Sequence, residues 1–77
     1  MDLEQRVLTE VETILAEGDR SYLLSLSRAA FVKVLEDELQ FLGLYAYGDT
    51  ETPARIHEIV ERHYRKWRST LAASLSA

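Results

Sequence analysis

The chain has 77 residues, of which 47% are hydrophobic and 29% charged, which is the composition of a single small globular domain over residues 1–77. It contains no cysteine, which excludes disulfides and thiolate zinc sites, and its net charge of −4 argues against non-specific nucleic-acid binding. No apolar run approaches the ~20 residues of a membrane span, and the N-terminus lacks a signal peptide's basic start, so we expect a cytoplasmic protein with no membrane partner.

The pattern of apolar residues predicts an all-α protein, a small bundle of three helices. The first helix covers about residues 2–17, where four apolar side chains recur at helical spacing: Leu3, Val7, Val11 and Ile14. Gly18 is predicted to be the left-handed residue that ends this helix. Asp19 or Ser21 is predicted to cap the next one.

The second helix, about residues 21–42, is the most apolar segment. One stripe along it contains Leu24, Phe31, Leu35, Leu39 and Leu42. A neighbouring stripe contains Leu23, Ala30, Val34 and Phe41. Because a helix with so broad an apolar face is usually covered on two sides, we expect it to lie between the other helices and to dimerise.

The connector after this helix is rich in turn-forming residues and ends at Pro53. Leu44, Tyr45 and Tyr47 make it unusually apolar for a loop, so we expect it to fold back on the bundle. Whether the two tyrosines belong to the core or to an interaction surface is left open, since tyrosine is frequent in both.

The third helix is predicted over residues 53–71, with Pro53 at the first helical position and residues 72–77 as a frayed tail. His63 falls in the middle of its apolar stripe and His57 at the border. Acidic side chains dominate residues 1–20 and basic ones residues 53–71. We therefore expect the first and last helices to pack together, within one chain or between two copies.

A metal or pH-sensing site is one interpretation of the polar groups in these stripes, with His57, Glu61, His63 and Glu38 as its residues. His57-Glu58 resembles the start of a zinc-protease HExxH motif, but Glu61 replaces the second histidine. His57 and His63 point about 120° apart on one helix, so they do not share an ion. The plainer interpretation pairs His57 with Glu61. Glu38, inside an apolar stripe, is expected to find a partner in Arg28 or His63.

Nucleic-acid binding is a second interpretation, carried by the basic face of the third helix: Arg55, Arg62, Arg65 and Lys66. Against it, three acid-before-base pairs at four-residue spacing give most of these arginines a structural role. The pairs are Glu51–Arg55, Glu58–Arg62 and Glu61–Arg65.

Catalysis has little support in the sequence. There is no serine beside a base, no glycine-rich phosphate loop and no carboxylate pair in a defined pocket, so we expect no enzymatic activity, no cofactor and no metal. No segment carries the motif of a known family. The sequence favours a non-enzymatic protein–protein interaction or regulatory module, an adaptor that pairs with itself and with another protein. Its predicted interface residues are Leu24, Phe31, Leu35, Glu38, Leu42, Tyr45 and Tyr47.

Overall fold

The computed structural model describes residues 2–45 and 48–76. That part of the chain forms four α-helices and no strand: α1 Leu3–Glu17, α2 Arg20–Ser25, α3 Arg28–Phe41 and α4 Glu51–Ser76. The all-α prediction is confirmed. The number of helices differs from the prediction because the predicted second helix is two helices, α2 and α3.

The break between α2 and α3 lies at Leu26 and Ser27, whose backbones are extended, with ψ of 147° and 164°. The Ser27 side chain accepts a hydrogen bond from the backbone N–H of Ala30 at 3.2 Å, which satisfies a free donor of the first turn of α3. Since the helix restarts here, the predicted stripe that joined Leu24 to Phe31 is wrong. Leu24 belongs to α2 and has a different helical phase.

Two aspartates cap the first two helices. Asp2 accepts a hydrogen bond at 2.8 Å at the start of α1. Asp19, one of the two residues predicted to cap the next helix, accepts one at 3.1 Å at the start of α2. The left-handed conformation predicted for Gly18 is wrong, because its φ is −79°. Glycine is favoured there by space instead: a Cβ would lie 3.0 Å from the Ile14 carbonyl oxygen and 3.2 Å from Leu23 Cδ1.

The end of α3 has the left-handed glycine that the end of α1 lacks. Gly43 has a φ of +79°, a conformation that costs a side-chain-bearing residue about 1–2 kcal/mol. Its N–H donates to the Gln40 carbonyl at 2.9 Å, and the N–H of Leu44 donates to the Leu39 carbonyl at 3.3 Å. These two bonds form a Schellman motif, which ends α3 at Phe41 and turns the chain back toward the core.

Helix α4 begins earlier than the predicted residue 53. The Asp49 carboxylate accepts the backbone N–H groups of Glu51 and Thr52, each at 3.0 Å. Hydrogen bonds from the side chain and backbone of Thr52 hold the pKa of Asp49 below its ordinary value. Pro53 is the third helical residue, still in the first turn, where a missing N–H breaks no intrahelical bond.

Helix α4 also ends later than predicted. It continues to Ser76 through alanines and leucines that favour helix, and so includes residues 72–76 of the segment predicted as a frayed tail. Residue 77 lies outside the described part of the chain.

The longest helix, α4, packs against each of the other three. Contacts with α4 run backwards along α3, from Arg28 with Glu61 to Glu36 with His57, so these two helices are antiparallel. Contacts between α1 and α4 follow the same direction along both helices. Glu4, near the start of α1, contacts Arg62, and the last turns of α1 line a groove together with Leu71, so α1 is parallel to α4. The folded chain measures 40 × 25 × 20 Å.

The core is apolar throughout the described residues, with no buried charged or polar side chain. All four helices contribute to it. Its members are Val7, Val11, Leu15, Leu23, Phe31, Val32, Leu35, Leu39, Ile56, Ile59, Val60, Tyr64, Trp67 and Leu71. The ring of Phe31 meets the ring of Tyr64 edge-on at 5.3 Å, which fixes the crossing of α3 over α4.

Candidate functional site

The predicted interface residues do not form one surface. Phe31 and Leu35, at the centre of the predicted surface, are fully buried within a single chain. Leu24 and Tyr45 are half-buried against the core. The apolar excess inferred for the second helix is therefore covered within a single chain at these positions.

The remaining predicted interface residues lie at the surface or outside the description. Glu38 is exposed, and Leu42 is 43% exposed. Tyr47 lies outside the described residues. Among the described residues, the exposed part of the predicted surface therefore lies in the second half of α3 and at the residue that follows it.

Phe41 is the most exposed large apolar residue in the described chain, at 87%. It precedes Leu42, and we call these two residues the α3-end patch. Sequence reasoning placed Phe41 in a second stripe that a neighbour would cover. The subunit covers only the face containing Leu35 and Leu39, and a residue two positions beyond Leu39 points about 200° away from it. The helical spacing that separates Phe41 from Leu39 could be seen in the sequence. The number of helices that cover α3 could not.

A network of ionic contacts joins α3 to α4. The Arg28 guanidinium lies 2.7 Å from a Glu61 carboxylate oxygen and 5.0 Å from the centre of the Tyr64 ring. His57 Nδ1 lies 2.6 Å from Glu36, and its Nε2 lies 3.8 Å from Glu61. The predicted pairing of His57 with Glu61 is present, but the closer partner is Glu36 on α3. The network is half open to water, so each contact contributes little, about 0–1 kcal/mol.

A second set of contacts joins α1 to α4, as the uneven charge of the sequence predicted. Arg62 Nη1 donates to a Glu4 carboxylate oxygen at 3.2 Å. His63 Nε2 lies 3.6 Å from the same oxygen, too far for a hydrogen bond, and is buried without a partner. The His63 ring packs against the ring of Trp67, with centres 5.6 Å apart.

These contacts between helices replace ion pairs that were predicted within α4. Glu61 is occupied by Arg28 and Arg62 by Glu4, so Glu58–Arg62 and Glu61–Arg65 do not form. Arg55, Arg65 and Lys66 are exposed and have no ion-pair partner among the described residues. Three of the four residues of the predicted basic face are therefore free cations.

Of the four polar residues predicted to form a metal or pH-sensing site, the structure brings only His57 and Glu61 together. Glu38 is exposed on α3, and His63 faces Glu4 on α1, so the predicted pairing of Glu38 with His63 is wrong. Arg28 pairs with Glu61 rather than with Glu38. In the part of the chain that the structure describes, no three histidine or carboxylate side chains are placed to hold a metal ion.

Two of the open grooves on the surface are lined mainly by apolar atoms. One lies between α1 and α4, has a volume of about 250 Å³, and carries both signs of charge through Glu12, Arg20 and Lys66. The other, of about 300 Å³, lies between α1, α2 and α3, and Glu38 is on its edge.

The chain is similar to no protein-family model, no curated protein and no solved structure. Within residues 2–45 and 48–76, no helix combines the length and the apolar composition needed to cross a bilayer.

Proposed function

We propose that this protein is a non-enzymatic protein-interaction module that acts as a homodimer, with the α3-end patch as its self-association surface. The observation that carries the proposal is the 87% exposure of Phe41 beside the 43% exposure of Leu42. An aromatic side chain loses most of its contact with water only if a partner covers it, and such burial contributes roughly 1.5–3 kcal/mol. A second copy brings an identical patch, so a two-fold axis beside Phe41 pairs apolar surface with apolar surface.

The size of the chain supports association. A core in a chain of 77 residues without cysteine rarely contributes more than about 3–5 kcal/mol of stability. Burial of the patch between two copies adds apolar area that a single subunit lacks, so folding and association reinforce each other.

The test is sedimentation equilibrium of the wild type and of two matched variants, Phe41→Ser and Leu75→Ser. Leu75 is 49% exposed in the last turns of α4, away from the patch, so it is the control for loss of an exposed apolar side chain. We expect dimers for the wild type and for Leu75→Ser. We expect Phe41→Ser to weaken association about tenfold or more, without loss of fold, because Phe41 makes little contact within the subunit.

Salt gives an independent check on the same dimer. Each subunit carries a net charge of −4, so two copies repel each other, and screening of that repulsion by added salt is expected to tighten the dimer. A wild type that sediments at 8.8 kDa up to millimolar concentration contradicts the proposal, as does equal weakening by both substitutions.

Nucleic-acid binding is a second candidate, favoured by the three free cations of α4. Its salt dependence has the opposite sign, because contacts with phosphates release counterions and weaken as salt rises. Fluorescence anisotropy with labelled duplex DNA and single-stranded RNA at low salt is the test. Binding that falls with salt and with Arg65→Ala supports this candidate, and no binding at low salt eliminates it.

A further inference from the structure

The 300 Å³ groove between α1, α2 and α3 has an apolar floor. Leu23 of α2 is buried at its base, and Ile14 of α1 and Val34 of α3 are half-buried beside it. The ring of Tyr22, 54% exposed, stands at the edge. The groove therefore offers a strip of aliphatic surface next to an exposed aromatic side chain.

Every charged side chain that lines this groove is a carboxylate: Glu17, Asp19 and Glu38. Asp19 has a structural role, because it caps α2 through the backbone N–H of Tyr22. Glu17 and Glu38 have no ion-pair partner in the described chain. The groove between α1 and α4 differs, because Arg20 and Lys66 there accompany Glu12. A negative edge above an apolar floor attracts a ligand that is positive and partly apolar.

We propose that this acidic groove binds a lysine- or arginine-bearing amphipathic segment of another protein, which rests on the proposed function as an interaction module. The alkyl stem of such a side chain packs on Ile14 and Val34, while its charged end reaches Glu17 and Glu38. A cation over the Tyr22 ring adds a cation–π contact, worth about 0.5–1 kcal/mol at an exposed site.

A second copy of the chain is a poorer occupant. On its α4, the cations without an ion-pair partner are Arg55, Arg65 and Lys66, and the large apolar residues from Ile56 to Leu71 on that helix are all buried in their own core. The α4 of a second copy can therefore supply charge to the groove but no large apolar side chain beside that charge. Since the floor is apolar, a segment that carries both groups fits better.

The experiment titrates the full-length protein with a synthetic helical peptide of leucine and lysine, and with a leucine–glutamate peptide of the same pattern. Calorimetry gives the affinity, and amide chemical-shift mapping gives the location. We expect the lysine peptide alone to bind, with shifts centred on Ile14, Tyr22 and Val34, and affinity that falls with salt.

Two double variants separate the groove from the overall charge. Glu17→Gln with Glu38→Gln removes two groove carboxylates, and Glu12→Gln with Glu58→Gln removes two exposed ones elsewhere. Both change the net charge equally. We expect about fivefold weaker binding for the groove pair, within the range for two exposed ion pairs, and unchanged binding for the control pair.

Equal weakening in both double variants, or shifts centred on another face, overturns the proposal. Its failure is distinguishable from failure of the proposed dimer, because Phe41→Ser weakens self-association and leaves these carboxylates in place. If the protein binds the peptide but does not dimerise, the groove proposal is supported and the dimer proposal is contradicted. If it dimerises but does not bind the peptide, only the groove proposal is overturned.

Discussion

His63 shows how far a single residue could be predicted. Its position in the apolar stripe of α4 was readable from spacing, and the structure places it beside Trp67 at the α1 contact. Its acidic neighbour could not be predicted, because Glu4 is distant in sequence and lies near His63 only through the parallel packing of α1 on α4. The consequence is a buried Nε2 without a hydrogen bond, which costs about 1–3 kcal/mol in other proteins.

Replacement of this histidine by an apolar residue is expected to stabilise the fold. We predict that His63→Leu raises the free energy of unfolding by about 1 kcal/mol, because the unpaired nitrogen is removed and apolar surface takes its place. The control is His57→Leu, which removes a 2.6 Å contact with Glu36 at an exposed site. We expect that change to lower stability by up to about 1 kcal/mol. Urea unfolding at neutral pH measures both, and a loss of stability in His63→Leu as large as in His57→Leu contradicts the prediction.

At the scale of elements, apolar periodicity located α1 to within a residue and missed the break at Ser27. The spacing of apolar residues continues across residues 21–42, so nothing in the period marks the interruption. One local hydrogen bond, from the Ala30 N–H to the Ser27 side chain, favours a new helix start at Ser27 over a continuous helix. The Leu26 carbonyl, freed by the break, accepts a hydrogen bond from Arg68 of α4 at 3.5 Å. That second contact is tertiary, so local sequence reasoning could not find it.

The cap at Ser27 is expected to contribute measurably to stability. We predict that Ser27→Ala lowers the free energy of unfolding by about 1 kcal/mol, since a donor in the first turn of α3 then lacks its acceptor. Ser69→Ala is the matched control, because Ser69 is exposed inside α4 and has no capping role. Its effect should stay within about 0.5 kcal/mol. Equal unfolding midpoints for the two variants in thermal denaturation, followed by circular dichroism, contradict a role for the cap.

At the scale of the whole molecule, composition and the helical spacing of apolar residues predict the all-α fold and its single core. They do not predict which apolar residues stay exposed. The expected apolar excess at Phe31 and Leu35 disappears once α1 and α4 cover one face of α3. On α3 and at its end, Phe41 and Leu42 remain exposed, because no helix of the described residues covers the side that bears Phe41. Coverage depends on the lengths and directions of all four helices together, which no single segment encodes.

The most direct test of self-association through the α3-end patch is a distance between nitroxide labels in the dimer. The chain has no cysteine, so single labels can be attached at Gln40→Cys, beside the patch, or at Ala73→Cys, in the last turns of α4. If two copies meet at Phe41, electron–electron dipolar measurements should give a Gln40 label pair well under the 40 Å length of a subunit and an Ala73 pair beyond it. A short distance at Ala73 with a long one at Gln40, or no dipolar coupling at either position, would contradict the patch as the dimer surface.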